Sequence, residues 1–214
     1  MMVERSWAEI NLAALERNLR LIKDSLPKRV RYISVVKADA YGHGILPTAA
    51  RLMQSNVDLF AVANVKEASE IREMGSGWPI LILGPLLEEE YEALLELDLI
   101  PTLSSLTELK QLCTLSQKRQ KIISAHLKID SGMGRHGIWH EDAPALINEI
   151  KKCPEIKLCG ALTHFAQPSD LEFTAEQRAH FLSILDKTQI HRATDFWGHA
   201  DNSSSLRCFD PKAI

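Results

Sequence analysis

The sequence predicts an α/β fold of the TIM-like (β/α)8 barrel class, on three observations. Apolar runs suited to buried parallel strands recur at fairly even spacing, and helical patterns lie between them. No Gly-x-Gly-x-x-Gly motif follows the first run, which favours a barrel over a doubly wound nucleotide-binding sheet. The predicted strands are Arg31–Val36, Leu59–Ala63, Pro79–Leu83, Leu99–Leu103, Ile122–Ile129, Lys157–Thr163 and Thr194–Gly198.

Residues typical of helix ends separate these runs. Asn11 can cap a helix that stops before Pro27, and Glu67–Met74 has a helical pattern that ends at Gly75. Two further helix starts are predicted by capping boxes, Ser105 with Glu108 and Thr174 with Gln177.

The length of the chain bears on the completeness of this barrel. The chain has 214 residues, and no eighth apolar run is found before Ile214. A complete barrel usually takes ~250 residues, with ~200 near the lower limit. We therefore expect a barrel over residues 11–214 that is incomplete at its C-terminus. Residues 1–10 are expected to form an extra N-terminal strand segment outside it.

Composition and charge exclude several classes of protein. A net charge of −3 and a pI near 6.2 argue against non-specific binding to nucleic acid. No uninterrupted apolar run reaches ~18 residues, and the first residues lack the pattern of a signal peptide. The four cysteines are scattered without a Cys-x-x-Cys pair, which is typical of free thiols in a reducing compartment. These features predict a cytoplasmic protein without a membrane or nucleic-acid partner.

Polar and ionisable residues concentrate at the C-terminal ends of four of the predicted strands and directly after them. These segments are residues 37–44, 128–135, 163–165 and 199–205. In a (β/α)8 barrel the carboxyl ends of the strands form the face that carries catalysis. The sequence therefore places a candidate active site at this end of the predicted barrel.

Lys37 is the first candidate residue at this end. It follows the apolar run Tyr32–Val36, so its amine is expected against apolar walls, where it can act as a nucleophile or a base. Tyr41 follows within a glycine-rich string that ends at Gly44, and its phenol could orient an anion. The alternative interpretation is a lysine that reaches from a strand end into solvent.

Lys128 and Arg135 are candidates on the fifth run. Arg135 follows a Gly-x-Gly turn, from which its guanidinium could bind a carboxylate or phenolate oxygen, although a surface arginine is the alternative. Lys128 stands between Leu127 and Ile129 inside the apolar run. Because an isolated buried charge is expensive, Lys128 must be paired, neutral or covalently modified.

Two further patterns differ in strength. Asn202 and Ser203 begin a polar stretch that could form a phosphate seat with free N–H groups, and the alternative is an ordinary polar loop. His136 and His140 have the spacing of metal ligands, but no set of cysteines or carboxylates accompanies them. We therefore expect no metal site.

Together these motifs closely resemble bacterial alanine racemase. The resemblance covers essentially the whole chain, and the combination of its motifs is highly specific. It implies a TIM-like barrel that binds pyridoxal 5′-phosphate, normally followed by a β-rich C-terminal domain, in a homodimer. The matching segments are Trp7–Leu15, Val36–Gly44, Leu127–Arg135, Thr163–Phe165 and His199–Ser203.

The resemblance assigns catalytic and substrate-binding roles. Lys37 resembles the lysine that holds the cofactor as a Schiff base and acts as one racemisation base. Arg135 is similar to the arginine at the cofactor's phenolic oxygen, with Met133 near the substrate carboxylate. Lys128 matches a lysine that is carbamylated in some members of the family. Its carbamate would pair with Arg135.

The remaining roles concern the cofactor. Tyr41 resembles the phosphate-binding tyrosine. His164 resembles the histidine beneath the cofactor ring, and with Lys37 and Arg135 it is one of the expected catalytic residues. Asn202 and Ser203 resemble residues at the far end of the cofactor and at its phosphate.

The expected function is therefore interconversion of L-alanine and D-alanine, which supplies D-alanine for peptidoglycan. In the family the second base is a tyrosine from the partner subunit's C-terminal domain, and an Arg-Pro-Gly-like strand holds the pyridine nitrogen. Both are expected outside these 214 residues, so the isolated chain is expected to lack competent racemisation. The alternative function is a non-catalytic barrel that carries pyridoxal phosphate or maintains its homeostasis. A structural or regulatory fragment is a third hypothesis.

Overall fold

The computed structural model describes residues 6–193, 195–200 and 202–205. The chain divides into two compact units, Met1–Ile80 and Leu81–Ile214. The helices are α1 Leu12–Ser25, α2 Lys37–Gly42, α3 Ile45–Gln54, α4 Val65–Glu73, α5 Tyr91–Glu96, α6 Leu106–Arg119, α7 Ala143–Ile150 and α8 Leu171–Thr188. The strands are β1 Ile33–Val35, β2 Leu59–Val62, β3 Ile80–Ile82, β4 Thr102–Leu103, β5 Ile123–Asp130, β6 Ile138–Trp139, β7 Ile156–Leu162 and β8 Trp197–His199.

A strand occurs within or overlapping each of the seven predicted runs. The first sheet has the order β1-β2-β3, and the second has the order β4-β5-β7-β8. The paired strands β1–β2, β4–β5, β5–β7 and β7–β8 are all parallel. The short strand β6, which the sequence did not predict, pairs with the end of β5. Parallel strands joined by helices are the arrangement that the apolar runs predicted.

Buried strands form the core of each unit. All four residues of β2 are buried, as are all three residues of β3. In the second unit, seven of the eight residues of β5 are buried. Asn11 and Ser105 cap α1 and α6 as predicted, because their side chains accept the N–H groups of Ala14 and Glu108 at 2.9 and 3.2 Å.

The predicted helix start at Thr174 is wrong. Helix α8 begins at Leu171 and its capping residue is Asp170, four residues before Thr174, because the Asp170 carboxylate accepts the Phe173 N–H at 3.1 Å. Thr174 instead donates its hydroxyl to the carbonyl of Gln167. The buried side chain of Gln177 accepts the Ala166 N–H at 3.0 Å. The two polar residues therefore anchor the loop that follows β7.

The N-terminal strand segment stays a prediction. Residues 6–10 have no regular secondary structure, and residues 1–5 lie outside the described part of the chain.

Candidate active site

The segment that carries Lys37 has an uncommon backbone. Four consecutive residues, Ala38, Asp39, Ala40 and Tyr41, have φ between 53° and 55° and ψ between 38° and 53°. These angles are those of a left-handed helix, which costs an L-residue other than glycine about 1–2 kcal/mol. The four residues together therefore hold about 4–8 kcal/mol of strain. Backbone strain of this kind persists only where surrounding contacts determine it.

Hydrogen bonds from three directions hold this left-handed turn. The Ala40 N–H donates to the carbonyl of Val36 at 2.9 Å, which closes the turn. The Asp39 carboxylate accepts the Ile45 N–H at 2.7 Å and so ties the turn to the start of α3. The Glu67 carboxylate accepts the Ala38 N–H at 2.7 Å. Glu67 was not among the predicted site residues, because its partner is distant in the sequence.

The turn determines how the two predicted residues of the first unit are presented. Lys37 is half-buried directly after β1 and Val36, as the sequence predicts. Tyr41 is 60% exposed, so its phenol faces solvent rather than the core. The turn therefore leaves the phenol available to a ligand.

In the second unit, Asp130 organises the loop that carries Met133 and Arg135. Its Oδ1 accepts the N–H groups of Gly132 and Met133 at 3.0 and 2.8 Å, and its Oδ2 accepts the Gly134 N–H at 2.8 Å. Burial raises the pKa of Asp130, but these three N–H donors and Lys128 outweigh burial, so the pKa is lowered. Arg135 is exposed at the end of this loop.

Lys128 is buried within β5, as the sequence predicts, with 7% exposure. Burial lowers the pKa of Lys128 to about 8, the Asp130 carboxylate opposes that shift, and the charge of Arg135 adds to it. At pH 7 about one tenth of this amine is therefore neutral.

His164 follows β7 in a loop that is fixed from two sides. The buried side chain of Gln177 donates to the His164 carbonyl at 3.4 Å. The hydroxyls of Ser131 and Thr163 are 2.6 Å apart. Because Ser131 directly follows Asp130, this contact joins the His164 loop to the Arg135 loop.

Asn202 and Ser203 lie in a compact turn. The Asn202 side-chain oxygen accepts the N–H groups of Ser204 and Ser205 at 2.9 and 3.1 Å. The hydroxyl of Ser205 accepts the Asn202 N–H at 2.8 Å. Ser203 is exposed, so its hydroxyl can reach a ligand. Asp201, within the same motif, lies outside the described residues.

A pair of histidines in the second unit, the buried His126 and the half-buried His199, was not predicted as part of the site. His126 Nδ1 and His199 Nε2 are 2.9 Å apart. Burial, His126 and Lys128 hold the pKa of His199 well below its usual range. The pair fits because residue 160 is glycine: a Cβ there would lie 2.6 Å from the His126 ring. A glycine inside the predicted strand Lys157–Thr163 indicates a close approach of another group, and this was the sequence signal for the His126 contact.

The predicted residues therefore fall into two groups. Lys37 and Tyr41 lie in the first unit. The second unit contains all the others, which are Lys128, Met133, Arg135, His164, Asn202 and Ser203.

Comparison with known sequences gives a consistent family. The profile of the family described as alanine racemase, N-terminal domain, matches residues 10–213. Alanine racemase of Halothermothrix orenii is 37% identical over 203 residues, which cover 94% of this chain and 54% of that protein. The chain spans about half the length of the curated relatives it matches.

Solved structures give the same result for the fold. Alanine racemase of Clostridium difficile 630 superposes with a TM-score of 0.90 at 33% identity, over 96% of this chain and 58% of that one. Alanine racemase from Bacillus anthracis with bound L-Ala-P gives a TM-score of 0.84 at 28% identity, over 96% of this chain and 54% of that one. These similarities confirm the predicted fold class, that of the TIM-barrel N-terminal domain of these enzymes. The chain belongs to the alanine racemase family, in which it matches the N-terminal domain.

Proposed function

We propose that the protein is a pyridoxal phosphate-dependent racemase that interconverts L-alanine and D-alanine, and that Lys37 is its cofactor-binding lysine. The observation that carries the proposal is the placement of Lys37. Lys37 is half-buried and directly follows the buried Val36 at the end of β1, in a strained turn that the Glu67 and Asp39 carboxylates hold in place. Family membership supports the same assignment.

The chemistry of the side chains suits pyridoxal 5′-phosphate. Lys37 offers a primary amine for the cofactor's aldehyde, and the exposed Tyr41 phenol offers a donor to phosphate. The exposed hydroxyl of Ser203 and the amide of Asn202 offer further polar groups. Arg135 offers a planar guanidinium for the phenolic oxygen.

Pyridoxal phosphate, when bound, supplies an aldehyde that condenses with amines and a conjugated ring that stabilises negative charge at the substrate Cα. The protein must then move a proton on and off that carbon. Racemisation needs bases on opposite faces, and we propose the Lys37 Nζ for one of them. Arg135 and Met133 would orient the substrate carboxylate, and His164 would support the ring from beneath.

Lys128 fits a supporting role through modification. Its lowered pKa leaves a neutral fraction that can attack carbon dioxide. The nitrogen–carbon bond forms as the amine loses a proton to water, and the product is a carbamate anion. We propose that this anion replaces a buried positive charge with a negative one that pairs with Arg135.

Membership of the alanine racemase family also supports proposals about assembly and location. We propose a homodimer that takes a small amino acid as substrate, in the cytoplasm. Within the described ranges, no helix combines the length and apolar character needed to cross a bilayer.

The test is chemical trapping followed by turnover. The protein is incubated with pyridoxal phosphate, reduced with borohydride and digested, and the modified lysine is identified by mass spectrometry. We expect the pyridoxyl group on Lys37, its loss in Lys37→Ala, and unchanged labelling in Lys66→Ala, which alters an exposed lysine of α4. Absence of an adduct at Lys37 would refute the assignment.

Turnover separates the racemase from a cofactor-carrying protein. The protein expressed from its full reading frame is supplied with L-alanine, and D-alanine is measured by chiral chromatography. We expect D-alanine formation that depends on Lys37. An adduct at Lys37 without racemisation of any small amino acid would instead support a non-catalytic carrier.

A further inference from the structure

We propose that Glu67 is a positioning residue for Lys37, because its carboxylate fixes the left-handed turn that presents the lysine amine. This inference rests on the proposed role of Lys37 as the cofactor-binding residue. Glu67 acts through the backbone and does not itself touch substrate or cofactor.

The two carboxylate oxygens of Glu67 bind backbone at the ends of two neighbouring strands. Oε1 accepts the Ala38 N–H at 2.7 Å, and Oε2 accepts the Ala63 N–H at 2.8 Å. Ala38 directly follows Lys37, and Ala63 directly follows β2, the strand that pairs with β1. One side chain therefore ties together the carboxyl ends of β1 and β2 at the point where the lysine emerges.

The bond from Ala38 to Glu67 is not explained by the capping of α4. Glu67 lies in the first turn of α4, and its own N–H donates to the Asn64 side chain at 3.0 Å. A glutamate at this position commonly accepts an N–H near the helix start, which accounts for the bond to Ala63. Ala38 lies 29 residues earlier in the chain, so its bond to Glu67 serves the lysine turn and not the helix.

Glu67 is itself held firmly enough to act as an anchor. Its side chain is half-buried, and the N–H groups at the start of α4 favour a carboxylate there. The first of the four left-handed residues is Ala38, so the bond fixes the backbone where the strained conformation begins. Loss of this bond would let the turn relax and would move the Lys37 Cα–Cβ direction.

Glutamine at position 67 is the sharpest test. Gln has the shape of Glu but only one acceptor oxygen, so it can satisfy Ala38 or Ala63 and presents an NH2 donor to the other N–H. Glu70→Gln is the matched control, because Glu70 lies on the same helix and lines a cleft together with Glu67 and Asp39. Among the described residues, the Glu70 side chain has no hydrogen bond to the turn. Both substitutions remove one negative charge.

The first readout needs no cofactor. Hydrogen exchange of the cofactor-free protein, from its full reading frame, is measured over residues 37–44 and 61–65. Loss of a hydrogen bond to a charged group raises exchange by roughly tenfold to a hundredfold, so we expect that rise at Ala38 or Ala63 in Glu67→Gln. We expect none in Glu70→Gln.

The second readout separates positioning from stability. In Glu67→Gln the rate of borohydride-trapped pyridoxyl addition to Lys37 should fall about tenfold or more, since small displacements of a reacting group are costly. The melting temperature of the two variants is measured in parallel. Trapping is measured at a temperature well below both melting temperatures, where both variants are folded. A loss of trapping there in Glu67→Gln but not in Glu70→Gln supports positioning.

The outcomes keep this inference separate from the function on which it rests. If the unaltered protein gives no adduct at Lys37, the proposed function fails. If it gives the adduct and Glu67→Gln matches Glu70→Gln in exchange and trapping, the role of Glu67 is overturned. Should Glu67→Gln not fold, Glu67→Asp retains the charge on a shorter side chain that cannot span both N–H groups. Unchanged exchange at both alanines in Glu67→Asp would also overturn the inference.

Discussion

Substitution of Asp130 by asparagine should loosen the loop that carries Arg135 and lower the stability of the protein. The carboxylate accepts three backbone N–H groups, two on Oδ1 and one on Oδ2, at 2.8 to 3.0 Å. Asparagine can keep the two bonds to its single oxygen, but it places an NH2 group against the Gly134 N–H. The variant therefore loses one bond, weakens two, and leaves a donor without an acceptor.

The size of the effect follows from these bonds. A hydrogen bond to a charged group contributes about 1.5–3 kcal/mol, against about 0.5–1.5 kcal/mol for a neutral one. The lost bond and the two weakened bonds together lower the free energy of unfolding by about 3.5–6 kcal/mol. The assay is urea unfolding followed by tryptophan fluorescence, with Asp142→Asn as the control. Asp142 is exposed, and its side chain makes no capping bond to α7.

The pH dependence gives the prediction a second test. The pKa of Asp130 is lowered in the folded state, so its stabilisation is present above the unfolded pKa near ~3.9. That stabilisation is lost as the pH falls through the lower folded pKa. The difference in the free energy of unfolding between the unaltered protein and Asp130→Asn should therefore become smaller below about pH 4. If the free energies of unfolding of Asp130→Asn and Asp142→Asn at pH 7 agree within about 0.5 kcal/mol, the reasoning is refuted.

Two further predictions test the interior of the second unit. Gly160→Ala should lower the free energy of unfolding by about 1–3 kcal/mol, because the new Cβ would lie 2.6 Å from the His126 ring. Gly198→Ala is the control and should leave the free energy of unfolding nearly unchanged, since its Cβ would meet only Leu185, at 3.7 Å. Thermal unfolding of both variants checks this, and equal melting temperatures would contradict it. In ¹³C-bicarbonate, a carbamate signal should grow as the pH rises through about 8, where the pKa of Lys128 lies, and vanish in Lys128→Met. A signal that persists in that variant would place the carbamate on another lysine.

The strands were predictable because buried parallel strands leave a simple record in sequence. Such strands are apolar on both faces, so each appears as a continuous apolar run. Their ends were less predictable, and β4 illustrates why. The run Leu99–Leu103 predicts five residues, but only Thr102–Leu103 form the strand. Pro101 has no N–H to donate, which interrupts the ladder, and Ile100 makes only an isolated bridge to Leu81.

Candidate residues could be proposed from the sequence where they end or follow an apolar run, and supporting residues could not. Lys37 and Arg135 stand out because an ionisable side chain ends an apolar run or follows a glycine turn. His126 lies inside such a run and shows its role only through its contact with His199, which is 73 residues away. Asp130 is visible as a polar residue, but its three acceptor contacts depend on the backbone path of the following loop.

The left-handed turn after Lys37 lies beyond local sequence reasoning for a physical reason. Ala38 to Tyr41 contain no glycine, and alanine favours the right-handed helix, so local propensity predicts the opposite hand. The conformation depends on acceptors that the local segment does not supply, above all the Glu67 carboxylate from α4. Strain of about 4–8 kcal/mol persists only where surrounding contacts determine it, and backbone strain of this kind clusters at functional sites. The contacts that defeat the local prediction therefore support the proposal that the Lys37 turn is the functional part of the first unit.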